Sequence, residues 1–455
     1  MTNEKVRLGV DPIYDTKGLN AGQIIVLGFQ HAVAMFGATV LVPILTGLSV
    51  TTTLLMAGLG TLLFHLLTKG KVPAFLGSSF AFIAGYNIVT GGGPFSETFM
   101  PENLPKACSG VFVAGLIYMV LAGIIKLVGV KRVMTWFPPV VTGPIIICIG
   151  LILAPTALGN IEGQVTVGEK LVPVGLNWLV AVLAIAAIII CNIWGKGMIK
   201  VIPILIGVIV GYLVALACGM VDFSGFSTVQ KVVAVPISKQ QFMQFDGSAI
   251  ITIAPIALAT MMEHVGDISA ISATVGKNFM SDPGLHRTLM GDGLATSLAS
   301  IFGGPANTTY GENTGVLALT RVYAPGVIRV AAIIAVIASL FPAVGTFILT
   351  IPAPAIGGVS FVLYGMISAI GVRNMVENHV DLTKARNLMI TSVILVSGLG
   401  ISLSGTGGIQ IGSVMLSGLA VSALLGIILN AILPGKDYTF KDHDAEPVAE
   451  LPLKD

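Results

Sequence analysis

Long apolar segments follow one another along almost the whole chain, and they constrain the fold more than any other feature. A helix needs about 20 apolar residues to cross the hydrocarbon core of a bilayer. Candidates occur at residues 22–46, 51–68, 72–90, 107–128, 134–155, 174–194 and 198–220, and again at 248–271, 285–303, 307–320, 325–350, 354–372, 385–403 and 409–433. The sequence therefore predicts an all-α membrane protein with fourteen transmembrane segments.

Composition supports a membrane protein. Of 455 residues, 55% are hydrophobic and only 10% are charged, whereas soluble domains carry roughly 25% charged residues. The formal net charge is only +2, so the sequence does not predict a basic surface that would bind nucleic acid. Four cysteines lie in or at the edges of apolar segments without metal-ligand spacing, so we expect free thiols and no metal site; they are Cys108, Cys148, Cys191 and Cys218.

The segments outside the apolar runs predict the orientation. Residues 1–21 are polar and show no cleavable signal peptide, residues 221–247 form a linker between the two sets of seven, and residues 434–455 form a charged tail. If both termini are cytoplasmic, 20 of the 24 Lys and Arg residues lie on the inward side. This asymmetry matches the excess of positive charge that cytoplasmic loops carry.

The third and tenth segments are weak, because they are short and rich in Gly, Ser, Thr and Asn. Omitting either would invert every later loop and damage the charge asymmetry, so we predict that both cross. A set of seven must re-enter the membrane upside down, which predicts two inverted repeats, 22–220 and 248–433. Paired interrupted segments at matching positions point to the binding site of a transporter. Ordinary re-entrant loops are the alternative.

Four acidic side chains lie within predicted segments: Glu263, Asp267, Asp292 and Glu312. An ionisable group at membrane depth costs roughly 2.5–3.5 kcal/mol even on the mildest scale, so such groups are functional candidates. The alternative is a structural hydrogen-bonding role or an interfacial position. That alternative weighs most for Asp292, which is flanked by two glycines.

Glu263 and Asp267 are four residues apart and share one helix face, whereas His264 points elsewhere. Mutual repulsion and burial both favour the protonated acid, and an acid that exchanges protons at physiological pH suits a proton-driven symporter. The candidates for proton coupling are therefore Glu263, Asp267, Glu312, Asp292 and His31. For His31, in the first segment, we favour a structural hydrogen-bonding role.

The interrupted segments supply complementary chemistry. A half-helix that follows an extended stretch directs free backbone N–H groups towards the centre. Gly77 and Gly311 permit close approach of a ligand. Backbone donors together with the Glu263 and Glu312 carboxylates suit a flat, uncharged ring with alternating C=O and N–H groups, such as uracil. An anion would face two carboxylates.

Several motifs together resemble the nucleobase–ascorbate transporter (nucleobase:cation symporter-2) family. The resemblance runs from about Gly28 to about Ile432, and its signature comprises Glu312-Asn313, Gly315 and Thr320-Arg321. Glu312 and Arg321 are typical of its pyrimidine branch. Further matches are Gln30-His31, Phe36 to Thr39, Leu76 to Phe82, Glu263 to Gly266, Asp282 to Arg287 and Asn307 to Arg321.

The resemblance implies proton-coupled uracil transport across a bacterial inner membrane, with no cofactor besides the coupled proton. It implies a core domain of segments 1–4 and 8–11, a gate domain of segments 5–7 and 12–14, and alternating access between them. Short antiparallel strands would precede half-helices in segments 3 and 10, and homodimers would form through the gate domain.

The resemblance also implies roles for individual residues. Glu263 would accept hydrogen bonds from ring N–H groups, and Glu312 would do the same or hold the site. Backbone groups at Phe80 and Gly311 would bind polar ring atoms, and His31 would belong to a supporting network. The apolar walls would come from Ala38, Tyr310 and Tyr364.

Two departures from the pyrimidine pattern keep alternatives open. Asp267 stands where uracil permeases carry His, and Asp292 stands where they carry Asn; both are purine-like. A purine permease for xanthine, urate or guanine therefore stays an alternative. An anion transporter or channel of related fold is another, although it would need a cation where the half-helices meet. A membrane enzyme is not expected, because the aspartate between two glycines has no partner motif.

Overall fold

The computed structural model describes residues 9–167, 170–404, 407–412, 414–436 and 438. Most of the predicted tail 434–455 and the first eight residues of the predicted N-terminal segment lie outside this range.

Helices dominate the first half of the chain, with three short strands between them. In order they are α1 (Ala21–Thr46), α2 (Val50–Leu67), β1 (Leu76–Ser78), α3 (Ile83–Thr90), α4 (Leu104–Val128), α5 (Val130–Met134), α6 (Pro139–Glu162), β2 (Thr166–Val167), β3 (Lys170–Leu171), α7 (Val174–Trp194), α8 (Met198–Val201) and α9 (Pro203–Ala217).

The second half has the same character. In order its elements are α10 (Gly247–Ile253), α11 (Ala257–Val275), α12 (Leu285–Ile301), β4 (Asn307–Thr309), α13 (Gly311–Thr320), α14 (Pro325–Ser339), α15 (Pro342–Leu349), α16 (Ala353–Glu377), α17 (Ala385–Ser402), β5 (Gly408–Ile411), β6 (Val414–Ser417) and α18 (Gly418–Ile432).

Within the described residues, eight helices are long and apolar enough to cross a membrane, or nine if α14 and α15 count as one span. Each predicted segment coincides with one helix, with two successive helices, or with strands followed by a helix, so several differ from a single straight helix. Segment 198–220 is divided into α8 and α9, and segment 248–271 is divided into α10 and α11. Segment 325–350 bends by 84° between α14 and α15, where Pro342 cannot continue the ladder of backbone hydrogen bonds. Segment 134–155 contains the break before Pro139, and segment 409–433 begins with the hairpin β5–β6.

The two interrupted segments meet through their strands. β1 and β4 pair antiparallel, with Leu76 opposite Thr309 and Ser78 opposite Asn307, which confirms the short strands predicted for segments 3 and 10. Threonines complete the outer edges of this small sheet: Leu76 N donates to Thr61 Oγ1 at 2.9 Å, and Thr296 Oγ1 donates to Asn307 O at 2.8 Å. These bonds satisfy backbone groups that have no water partner inside a bilayer.

The helices pack in two groups. In one, α4 packs along α12, α2 lies against α12 and α14, and α1 lies against α14; in the other, α6 packs along α16, α7 lies against α9 and α16, and α17 lies against α6 and α18. Glycines allow close crossings, as membrane helices require. A Cβ added to Gly115 of α4 would lie 2.9 Å from Ser297 N of α12.

Candidate substrate site beside the paired strands

Tyr310 connects β4 to α13 and is held from three sides. Its backbone N donates to Phe75 O at 2.9 Å, and its hydroxyl donates to Ser78 O at 3.0 Å. Thr39 Oγ1 of α1 donates to the same hydroxyl at 3.3 Å. The ring lies directly over Gly77, where an added Cβ would overlap it. Glycine at this position therefore makes room for the buried tyrosine ring, and not for the ligand that the sequence led us to expect there. That Tyr310 forms a wall of a substrate site stays a prediction.

Carboxylates from α11 and α13 come together next to Tyr310. Glu263 and Asp267 are both partly buried on α11, and Glu312 lies in the first turn of α13. A Cβ added to Gly311, at the exposed start of α13, would lie 3.6 Å from Asp267 Oδ1. The helices α11 and α13 pack against one another, which brings Glu312 near both α11 acids. The structure thus places the three acids and Gly311 in one region, which we call the acid cluster.

Asp292 lies behind the acid cluster in a fully buried network. Its Oδ2 is 2.7 Å from His264 Nδ1 and accepts from Thr309 N at 3.2 Å, while its Oδ1 accepts from Thr309 Oγ1 at 3.1 Å. His264 Nε2 lies 2.9 Å from Thr288 Oγ1. Asp292 therefore links α11, α12 and β4, which fits the structural role left open for it.

Sequence reasoning did not identify the partner of His264, because 28 positions separate it from Asp292. Its adjacency to Glu263 placed it correctly on a different helix face. The one feature of the sequence that could have indicated this contact is Asp292 itself, a buried aspartate between two glycines that needs a hydrogen-bond partner.

His31 anchors α1 to α13. Asn313 Nδ2 donates to His31 O at 3.0 Å and lies 3.2 Å from His31 Nδ1. Both side chains are buried. Asn313 belongs to the signature motif but was not among the predicted site residues, and its contact with α1 is visible only in the fold.

The other two predicted wall residues, Ala38 and Tyr364, belong to one apolar cluster with Tyr310, and Phe80, whose backbone was predicted to bind the ring, belongs to the same cluster. Phe80 follows β1, and its ring meets the Tyr364 ring of α16 edge-on, with centroids 6.4 Å apart and an interplanar angle of 74°. Phe80 and Tyr364 come from different helix groups, so this contact lies on the boundary between the groups. The structure places all the predicted wall residues in this cluster.

Comparison with known proteins gives concordant matches. Residues 22–406 match a protein-family model described as Permease family. A uracil permease of Bacillus caldolyticus is 42% identical over 437 residues, which cover 94% of this chain and 97% of that protein. A uracil permease of Bacillus subtilis is 42% identical over 442 residues, which cover 95% and 97%.

A solved structure shares the fold. The transmembrane domain of a cyanobacterium bicarbonate transporter, BicA, aligns with a TM-score of 0.62 at 16% sequence identity, covering 92% of this chain and 99% of that one. At this identity the likeness concerns the fold alone.

Proposed function

This chain belongs to the permease family that its motifs resemble, the nucleobase–ascorbate transporters, and from that premise we propose that it carries uracil across a membrane together with protons. Its relatives are named permeases, so the chain is a multi-pass transporter and not an enzyme. We choose uracil as the substrate because the two Bacillus relatives, which are 42% identical over nearly the whole chain, are named uracil permeases.

The purine alternative is not favoured. It rested on Asp267 and Asp292, and the relatives that match along nearly the whole chain are uracil permeases. Asp292 is bonded to His264 and Thr309, so its side chain supports the scaffold. The fold that this chain shares with the bicarbonate transporter leaves an anion transporter as an alternative. The three acids at the candidate site oppose it, because they would repel an anion.

In the proposed complex, Glu263 accepts hydrogen bonds from the ring N–H groups of uracil, and Glu312 does the same or holds the site. Backbone groups at Gly311, the first residue of α13, and at Phe80, in the turn between β1 and α3, bind polar ring atoms, because backbone N–H groups at a helix start are free to donate. A flat ring packs well against the aromatic and small side chains of the wall: Ala38, Tyr310 and Tyr364.

Proton coupling follows from the crowding of negative charge. Glu263, Asp267 and Glu312 lie in one region, where unscreened like charges repel strongly. Taking up a proton relieves this repulsion, and uracil adds no charge of its own, so one proton carried with each uracil would move positive charge inward. His31 supports the site through Asn313. The proton is the only coupling species that we propose, with no cofactor.

We also propose the finer architecture: fourteen segments in two inverted repeats, with a core domain and a gate domain that move relative to one another. The two packing groups and the antiparallel meeting of segments 3 and 10 support it. The Phe80–Tyr364 contact lies where such movement would occur. The distribution of Lys and Arg favours cytoplasmic termini in a bacterial inner membrane, and exposed apolar side chains on α7, such as Ile190 and Ile193, suit lipid or a gate-to-gate homodimer.

The test is uptake of labelled uracil into proteoliposomes, with and without an inward proton gradient. We expect the gradient to drive accumulation and Glu263→Gln to abolish it, because Gln carries no negative charge and exchanges no proton. The matched control is Glu377→Gln, since that side chain is 64% exposed and its ion pair within the described part of the chain is with Arg373 of its own helix, at 3.4 Å.

Each part of the proposal has its own contradicting result. Uptake that ignores the gradient would refute proton coupling. Xanthine competing far better than uracil would refute the substrate. Full uptake by Glu263→Gln would remove Glu263 from the site.

A further inference from the structure

A cavity of about 530 Å³ opens at the surface where the C-terminal ends of α11 and α13 meet the loop after α2. Val275 in its wall is eight residues beyond Asp267, about 12 Å along the helix axis, so this cavity is separate from the acid cluster. Small-molecule sites typically occupy about 300–1,000 Å³. Its polar lining comes from Tyr14, Lys71, Lys277, Asn278, Asp282 and Tyr323, and we call it the basic cavity.

Positive charge exceeds negative charge around the basic cavity. Of its lining residues, Lys71 and Lys277 are cationic and Asp282 alone is acidic. Lys71 Nζ donates to Asp282 Oδ1 at 2.6 Å, which leaves the charge of Lys277 in excess. A further cation stands behind the wall, since a Cβ added to Gly70 would lie 3.2 Å from Arg329 Nη2.

Asp15, the acid next to the lining residue Tyr14 in the sequence, does not cancel this excess of positive charge. Asp15 adjoins Tyr14 but does not line the cavity, and its Oδ1 accepts from the backbone N of Lys17. A neutral nucleobase would gain no net electrostatic attraction from such a charged lining. The preference for cations in cytoplasmic loops explains why lysines occur here, but not why two of them line one cavity.

The N-terminal segment forms one wall and ties the two helix ends together. Ile13 pairs in parallel with Val322, and Tyr323 N donates to Ile13 O at 2.7 Å. Tyr14 reaches the other helix, because its hydroxyl donates to Val275 O at 3.0 Å, and Lys277 Nζ lies 4.2 Å from the centre of its ring. A ligand held by Lys277 would therefore touch elements joined to both α11 and α13, which carry the acid cluster.

We propose that the basic cavity binds an anion of the phosphate type, supplied either as free phosphate or as the head group of an anionic lipid. Lysine ammonium groups act as strong point-charge partners for phosphate oxygens. Bound phosphate would bridge Lys277 and Lys71 and so fix the N-terminal segment against the ends of α11 and α13.

The experiment is thermal unfolding of the purified full-length protein in detergent, with inorganic phosphate titrated against chloride at constant ionic strength. A ligand that binds the folded state raises the apparent midpoint in a saturable way. We expect Lys277→Gln to raise the half-saturating phosphate concentration about fivefold and Asp282→Asn to lower it about fivefold. A fivefold change corresponds to the interaction of one unit charge at short range in a hydrated site. Lys231→Gln, an exposed lysine outside the cavity, should change nothing.

A second arm identifies the source of the phosphate. The same variants are compared in nanodiscs of phosphatidylcholine and of phosphatidylcholine with phosphatidylglycerol. Stabilisation that depends on Lys277 only in the anionic discs assigns the cavity to a lipid head group, and Lys277-dependent stabilisation by dissolved phosphate assigns it to the free anion. Stabilisation in neither arm, or equal stabilisation of the parent, Lys277→Gln and Asp282→Asn, overturns the proposal.

Discussion

Substituting Gly77 by alanine tests whether the packing of Tyr310 over β1 shapes the candidate site. A Cβ at this buried position would overlap the Tyr310 ring and lie 2.7 Å from Thr39 Oγ1. The ring cannot withdraw without disturbing the hydroxyl bond to Ser78 O. Tyr310 precedes Gly311 and Glu312 directly, so any shift of the ring moves the start of α13.

The size of the effect follows from overpacking. Forcing an extra methyl group into a tightly packed interior costs about 1–3 kcal/mol. If that cost falls on the binding-competent arrangement, uracil affinity drops about 5- to 150-fold, because each 1.4 kcal/mol is a factor of ten. We expect folded, extractable protein with a lower thermal midpoint and weak uracil binding. The matched control is Gly123→Ala in α4, where an added Cβ meets nothing within 4 Å.

A double-mutant cycle decides whether the ring causes the loss, because contacting residues give non-additive effects. The measurement is the thermal midpoint of Gly77→Ala in the parent chain and in a Tyr310→Ala background. If the ring is responsible, Gly77→Ala costs much less once the ring is gone. An equal loss in both backgrounds, or uracil affinity unchanged in the single variant, would refute the reasoning.

Two further predictions concern the buried polar contacts. Thr309→Val should lower stability by about 1.5–3 kcal/mol, since it removes a hydrogen bond to the buried Asp292 carboxylate; Thr308→Val is its control in thermal unfolding, because Thr308 Oγ1 has no hydrogen-bond partner among the described residues. Asn313→Ala should reduce uracil uptake several-fold in proteoliposomes by releasing α13 from His31. Uptake unchanged by Asn313→Ala would show that this link does not position the site.

The sequence alone determined the class of protein and the residues of interest. A chain that is 55% hydrophobic and 10% charged has to place its apolar surface in lipid, because no soluble core could hold it. Segments near 20 residues then follow from bilayer thickness. Glu263, Asp267 and Glu312 stand out because charge is costly at membrane depth, and Gly77 stands out in a weak segment. The helix period predicted that Glu263 and Asp267 share a face.

Only the tertiary structure decided which distant residues touch. The pairing of β1 with β4, the bond between His264 and Asp292, and the anchoring of His31 by Asn313 join positions 28 to 282 residues apart. Such contacts leave no periodicity in the sequence, because they depend on how helices cross and not on the spacing within any one helix. The bend between α14 and α15 and the hairpin β5–β6 were missed for a related reason: average hydrophobicity records the length of an apolar run and not the path of its backbone. The basic cavity could not be predicted from the sequence either, because four separate stretches of chain supply its polar lining.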